Sequence, residues 1–147
     1  MREQFSHARR KVRADRVNNE KDVRMRKIVF HINSLEQGGA ERVITNLAHQ
    51  FAAEGYEVYI ATEWYAENEI QIDKSITRVH VGLNKEEESR GRFAKLRIRG
   101  QRLRAFIKKV KPDVVVAFCH KANYRAITAA LGTGIPVIVS VRTDPVG

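Results

Sequence analysis

Two adjacent glycines, Gly38 and Gly39, stand between an apolar run and a helical pattern that contains Glu41. Paired glycines let a ligand approach the backbone, and the amide N–H groups at a helix start attract anions. The spacing is neither Gly-x-Gly-x-x-Gly nor a Walker loop, so the dinucleotide and P-loop fingerprints are absent. The carboxylate of Glu41 favours the helix dipole, which argues against a tightly bound diphosphate at this turn. The alternative interpretation is a plain strand-to-helix turn.

Two later groups of polar residues also follow apolar runs. His120 comes just past the most apolar run of the chain, and Lys121 and Asn123 come after it. A histidine there can bond a sugar or phosphate, act as an acid or base, or serve packing alone. Arg142 and Asp144 follow the last apolar run, where the arginine can grip a phosphate or carboxylate or pair with the aspartate.

A basic segment of different character covers residues 90–111, which hold ten Lys or Arg and no acid. Its period predicts an amphipathic helix with six apolar core positions: Phe93, Leu96, Leu103, Phe106, Ile107 and Val110. The candidates for contact with an anionic membrane are Lys95, Arg99, Arg102 and Lys109. A solvated face and nucleic acid are the alternatives. The segment contains no recognised nucleic-acid motif, so no specific nucleic-acid partner is expected.

The elements that must position these residues alternate along the chain. Apolar runs predict strands at 27–32, 56–61, 75–81, 113–118 and 136–141. Helical spacing predicts helices at 40–52, 92–110 and 122–131. Alternation of this kind predicts an α/β fold, a Rossmann-like, doubly wound and mainly parallel sheet of five strands. We expect the strand order 3-2-1-4-5, with helices on both faces.

In such a sheet, ligands bind beyond the carboxyl ends of the strands, near the switch point. Four polar segments should converge there, at 33–40, 63–68, 119–123 and 142–145.

Composition sets further bounds. The net charge of +10 is concentrated in residues 1–26 and 90–111, which favours a polyanionic partner. The one cysteine excludes an internal disulfide and a cysteine-based zinc site, and fits a reducing cytoplasm. Residues 1–24 are polar and basic, so we expect a disordered or loosely helical tail before a domain at 25–147.

Three blocks, in order, resemble glycosyltransferase family 4, whose members have the GT-B fold. The first, at 27–43, is an apolar strand, a loop, and Gly-Gly-Ala-Glu-Arg-Val leading into a helix. The second is Lys-Pro-Asp-Val-Val-Val at 111–116. The third, at 135–145, is similar to a family segment, but Val141 and Thr143 stand where the family has Glu and Asn.

The resemblance implies transfer of a sugar from a nucleotide-sugar with retention of configuration. The N-terminal domain of such enzymes holds the acceptor and docks on the membrane, and the C-terminal domain holds the donor. By this resemblance Gly38 and Gly39 would lie against the donor phosphates or the acceptor. His120 would contact the donor, Arg142 would be a cleft cation, and no metal is implied. Four further residues complete the predicted donor/acceptor cleft: Glu41, Lys121, Asn123 and Asp144.

We therefore expect the N-terminal, acceptor-side domain of a retaining hexosyltransferase of envelope glycan synthesis. It would be cytoplasmic or peripheral on the inner face of the cytoplasmic membrane. The family's Glu-x7-Glu element is not among the 147 residues, so no catalytic residue is predicted and the chain alone should be inactive. The expected partners are a sugar acceptor, a missing C-terminal donor domain and an anionic membrane, with a nucleotide-sugar as donor and no cofactor in this chain. The alternative is a non-catalytic Rossmann-like module that docks on a membrane or partner through its basic helix.

Overall fold

The structure, a computed structural model, describes residues 26–140. The predicted tail, Arg142 and Asp144 lie outside the described residues. Strands and helices alternate in the order β1 (Lys27–His31), α1 (Gly39–Ala53), β2 (Glu57–Thr62), β3 (Ile76–His80), α2 (Arg92–Val110), β4 (Val114–Phe118), α3 (His120–Ala130) and β5 (Val137–Ser140). A 3-10 turn, Glu87–Ser89, precedes α2.

The five strands form one parallel sheet in the order β3-β2-β1-β4-β5, which confirms the predicted topology. In the register of the central strands, Val29 stands beside Tyr59 on one side and Val115 on the other. Because every pairing is parallel, all the carboxyl ends meet at one edge of the sheet, called the rim below.

The sheet separates two apolar cores. On one face, Ile44 and Phe51 of α1 pack on side chains that include Phe30. On the other face, α2 and α3 supply Leu103 and Ala126. All five residues of β4 are buried, as expected for a central strand covered on both faces.

The bounds of α2 match the prediction, but its apolar stripe does not lie entirely in the core. Phe93 is 88% exposed and Leu96 is also exposed, so their prediction as core residues was wrong. A 19-residue helix is about 28 Å long, whereas a five-residue strand spans about 17 Å. The end of α2 is held at the amino ends of the strands, where Lys27 Nζ lies 3.3 Å from the Val110 carbonyl oxygen. The first turns of α2 therefore project beyond the rim.

The connection from β4 to α3 is shorter than predicted. Helix α3 begins at His120 instead of residue 122. The single residue between the two elements, Cys119, has a backbone φ of 76°, a conformation that residues other than glycine rarely adopt. The chain thus turns sharply at the rim, and the predicted loop at 119–123 is mostly the first turn of a helix.

Candidate functional site

A buried ion pair joins three segments beneath α3. Glu63, directly after β2, pairs with the guanidinium of Arg125 on α3. The two residues are 3% and 6% exposed. Asn33, after β1, donates its Nδ2–H to Glu63 Oε2 at 3.0 Å. Removing charges from water is costly unless they are paired and hydrogen-bonded. The Glu63 carboxylate, paired with Arg125 and bonded to Asn33, therefore holds the ends of β1 and β2 against α3.

His31 lies in the same layer and is fully buried. Its Nδ1 is 3.0 Å from the carbonyl oxygen of Ala61, so Nδ1 carries the proton and donates it. Burial lowers the pKa of His31 to about 4; the bond to Ala61 opposes this shift, and the charge of Arg125 adds to it. The imidazole is therefore neutral at pH 7, and its Nε2 has no partner within residues 26–140.

The predicted residues after β4 have different environments. Asn123 is buried and donates its Nδ2–H to the Ser140 carbonyl oxygen at 2.8 Å, which ties α3 to the end of β5. Lys121 is exposed, and His120 is the first residue of α3. Asn123 thus has a scaffold contact, while Lys121 is available to a ligand.

The paired glycines lie at the rim at the start of α1. Gly38 is the residue that caps the helix and Gly39 begins it. The carboxylate of Glu41 lies where a β-carbon on Gly38 would be. The space that the missing side chain leaves open is therefore filled by Glu41 and not by a ligand. A negative charge from the protein itself therefore stands at this helix start.

A groove of about 490 Å³ opens between the first half of α2 and α3. Five cations and no carboxylate line it: Arg92, Lys95, Arg99, Lys121 and Arg125. Leu96 and Tyr124 add apolar surface, and both are exposed. Within residues 26–140 only Arg125 of the five pairs with an acid. This surface, called the cationic groove below, is suited to an anion with an apolar neighbour.

The four candidates for membrane contact do not form one patch. Lys95 and Arg99 line the cationic groove. Arg102 instead binds both carboxylate oxygens of Glu87, at 2.6 and 2.8 Å, and the Gly82 carbonyl oxygen at 2.6 Å. This hydrogen bonding is the main reason that the pKa of Glu87 is lowered. Lys109 lies near the other end of α2, about 15 Å along the helix from Arg99.

The sequence placed the segment that begins at Glu63 at the rim, but it singled out neither Glu63 nor Arg125. One signal was available for the arginine. Arg125 interrupts a stripe of small apolar residues in α3, formed by Ala122, Ala126 and Ala129. A charge on the core side of a helix needs a buried partner. No sequence signal identified Glu63 among the nearby glutamates.

Two negative findings concern residues 26–140 alone. Their helices include none that is both long and apolar enough to cross a bilayer. Nor do they contain a group of three His, Cys, Asp or Glu side chains placed to hold a metal ion.

A sequence profile described as Glycosyltransferase Family 4 matches residues 37–145. Over 120 residues the chain is 28% identical to the GalNAc-alpha-(1->4)-GalNAc-alpha-(1->3)-diNAcBac-PP-undecaprenol alpha-1,4-N-acetyl-D-galactosaminyltransferase of Campylobacter jejuni. That alignment covers 82% of this chain and 33% of the relative. The chain therefore spans about a third of the length of the curated relative it matches.

Solved structures share the fold at low sequence identity. Sucrose-phosphate synthase from Thermosynechococcus elongatus matches with a TM-score of 0.60 and 12% identity, over 80% of this chain and 33% of its own. The C-terminal domain of a hydrogenase from Pyrococcus furiosus matches with a TM-score of 0.51 and 16% identity, over 83% and 97%. Because these proteins differ in activity, the structural likeness concerns the fold alone. The sequence profile covers well over half of the chain, and on that ground the chain belongs to glycosyltransferase family 4.

Proposed function

We propose that this chain is the acceptor-side domain of an enzyme that moves a sugar from a nucleotide-sugar to a lipid-linked or polysaccharide acceptor. Family membership supports the reaction class. The observation that carries the acceptor-side assignment is the rim, where Asn33, Glu63 and the start of α3 are held together on a parallel sheet. Rims of this kind are where open α/β sheets bind ligands. The curated relative's name specifies an undecaprenol diphosphate-linked acceptor, which favours a lipid-linked acceptor here.

We further infer that the donor nucleotide-sugar binds elsewhere, in a second domain corresponding to the part of the longer relative outside the matched third. Two features of the rim support this division of labour. The carboxylate of Glu41 at the start of α1 would repel a diphosphate, and His31 is neutral and enclosed. The 147-residue chain alone is then expected to bind acceptor and to transfer no sugar.

Calorimetric titration tests the division directly. A synthetic undecaprenyl diphosphate-linked disaccharide in detergent should bind the 147-residue chain, whereas UDP-sugars should not bind measurably. When the chain is incubated with the lipid-linked disaccharide and a UDP-sugar whose sugar is labelled, the label should stay on the nucleotide. Binding of a UDP-sugar without binding of the lipid-linked disaccharide, or transfer of the label, would overturn the assignment.

The same proposal places the domain on the inner face of the cytoplasmic membrane, where lipid-linked acceptors would be met. The projecting first turns of α2 carry exposed Leu96 beside Lys95 and Arg99, and exposed Phe93 beside Arg97 on another face. Apolar side chains beside unpaired cations favour an interface with anionic lipid, to which each basic residue contributes about 1 kcal/mol.

Sedimentation with vesicles separates this surface from charge in general. The chain should sediment with vesicles of phosphatidylglycerol and phosphatidylcholine but not with phosphatidylcholine alone. A Lys95→Gln/Arg99→Gln variant should bind about 30-fold more weakly, from the loss of two contacts. A Lys108→Gln/Lys109→Gln variant removes the same charge from the other end of α2 and should bind nearly as wild type does. Equal losses in both variants would contradict a specific surface.

A further inference from the structure

The segment that follows β2, residues 63–70, forms a rigid edge of the rim and is called the rim wall below. Trp64 and Tyr65, which are consecutive in the sequence, are 45% and 61% exposed there. Exposed aromatic residues lose favourable burial, and two together on a ligand-binding edge indicate a contact surface.

The backbone of the rim wall is fixed on both sides. The N–H groups of Glu63 and Trp64 both donate to the Asn33 carbonyl oxygen, at 2.8 and 3.2 Å. Further along, the Ile70 N–H donates to the Leu35 carbonyl oxygen at 2.9 Å. The wall is therefore attached to the loop after β1 at both ends, so a ligand need not order it on binding.

Side chains from β3 hold the aromatic part in place. The Tyr65 ring is nearly parallel to the His80 ring, with centroids 5.7 Å apart, and Arg78 Cζ lies 4.1 Å from the centroid of the Tyr65 ring. Arg78 also donates to the Trp64 carbonyl oxygen at 3.2 Å and forms a two-point ion pair with Glu69. Among residues 26–140, the Trp64 indole contacts no other aromatic ring.

The charge of the rim wall determines the kind of ligand it can accept. Residues 63–70 contain three glutamates and neither lysine nor arginine. Glu63 is buried and paired with Arg125, so its charge does not face a ligand, whereas Glu67 is exposed. The cation that packs on the wall, Arg78, is neutralised by Glu69, whose pKa it lowers chiefly through its hydrogen bond. Within residues 26–140 the wall therefore offers an anionic lipid or a phosphate no lysine or arginine that lacks an acidic partner. A neutral molecule with an apolar face and peripheral hydroxyl groups fits the indole and the exposed polar side chains of Glu67 and Asn68.

We propose that Trp64, flanked by Tyr65, is a stacking platform for a neutral pyranose ring of the acceptor. The C–H face of the sugar lies on the indole, and hydroxyl groups at its edge reach the polar side chains beside it. The inference rests on the proposed function, because it assigns the sugar-binding part of the acceptor site to a surface outside the cationic groove.

Trp64 is the single tryptophan of the 147 residues, so emission excited beyond the tyrosine absorption band reports on this position alone. Titration with methyl glycosides of hexoses and N-acetylhexosamines should change the emission saturably, with glycerol as the negative control. By saturation-transfer NMR, Trp64→Ala should weaken the glycoside bound about tenfold, whereas Trp64→Phe keeps a ring and should lose less. Leu131→Ala removes an exposed apolar side chain just after α3, outside the cationic groove, and should leave binding unchanged.

The outcomes separate the platform from the function. Equal glycoside binding by wild type and Trp64→Ala, with both folded by circular dichroism, overturns the platform. Absence of any glycoside binding to the wild type overturns it also. An emission change that follows protein concentration or added vesicles would assign Trp64 to a second copy or a membrane instead. In each of these cases, binding of the undecaprenyl diphosphate-linked disaccharide still decides the proposed function independently.

Discussion

The rim wall and the cationic groove lie at the same edge of the sheet, yet the wall has a net negative charge and the groove a net positive one. In the wall, Glu63 and Glu69 are each paired with an arginine, and exposed Glu67 leaves a net negative charge. The groove instead has cations and no lining carboxylate. Both depend on the same buried contact, since Glu63 begins the wall and Arg125 lines the groove. One buried ion pair can therefore support two surfaces suited to different parts of a ligand.

Breaking that shared contact should destabilise the chain most. Arg125→Ala leaves the Glu63 carboxylate buried without its cation, which should lower the free energy of unfolding by about 3–5 kcal/mol. Urea denaturation measures the loss. Adding Glu63→Gln to Arg125→Ala should recover part of it, because the uncompensated charge is then gone. Lys109→Ala, at an exposed site, is the control. A loss below about 1 kcal/mol for Arg125→Ala would mean that the two surfaces are supported independently.

Acid should weaken the same layer through His31. Its pKa is about 4 in the folded chain and 6.5 unperturbed, so the unfolded state takes up the proton first. The contribution of neutral His31 to the free energy of unfolding is therefore fully present above pH 6.5. It falls by about 1.4 kcal/mol for each pH unit between 6.5 and the folded pKa. The free energies of unfolding of wild type and His31→Asn, measured by urea denaturation at pH 7 and pH 5, should converge by about 2 kcal/mol at the lower pH. A constant difference would contradict a neutral, buried His31.

A glycine behind the rim wall should also be sensitive. A β-carbon on Gly82 would overlap the backbone of Glu63, which cannot move aside as a flexible side chain could. Gly82→Ala should therefore destabilise the chain by about 1–3 kcal/mol, and it should weaken glycoside binding while leaving vesicle binding intact. Thermal unfolding and the two binding assays check this. Loss of both activities together would mean that the wall and groove are not separable.

The smallest effect, and one of opposite sign, is expected in the groove. Gly100 lies inside α2 and lines the groove, and a β-carbon there would meet nothing within 4 Å. Gly100→Ala should stabilise the chain by about 0.5–1 kcal/mol, because alanine loses less backbone freedom in a helix. Vesicle binding should persist. Destabilisation in thermal unfolding would indicate that this part of α2 packs more closely than the structure describes.

The fold could be predicted because strand and helix periods are local properties of the sequence. The alternation of five apolar runs with three helical patterns predicted the order of elements, and the unbroken apolar run at 114–118 predicted a central parallel strand. The exposure of Phe93 could not be predicted, because it depends on the length of a helix relative to a sheet. The contact of Glu63 with Arg125 joins residues 62 apart, which no local pattern relates. Gly38 and His120 were placed at the rim by topology, while their roles toward ligands stay predictions.

The length of α2 also determines how far its charges are felt. Arg92 lies about 15 Å along the helix from Arg102, where Glu87 supplies the neighbouring negative charge. That separation exceeds the Debye length of about 8 Å at physiological ionic strength. The field at the tip of the helix is therefore set by its own cations and is reduced by added salt, while the enclosed pair beneath α3 keeps its strength. Ionic strength would thus regulate attachment at the helix tip without loosening the scaffold that carries it.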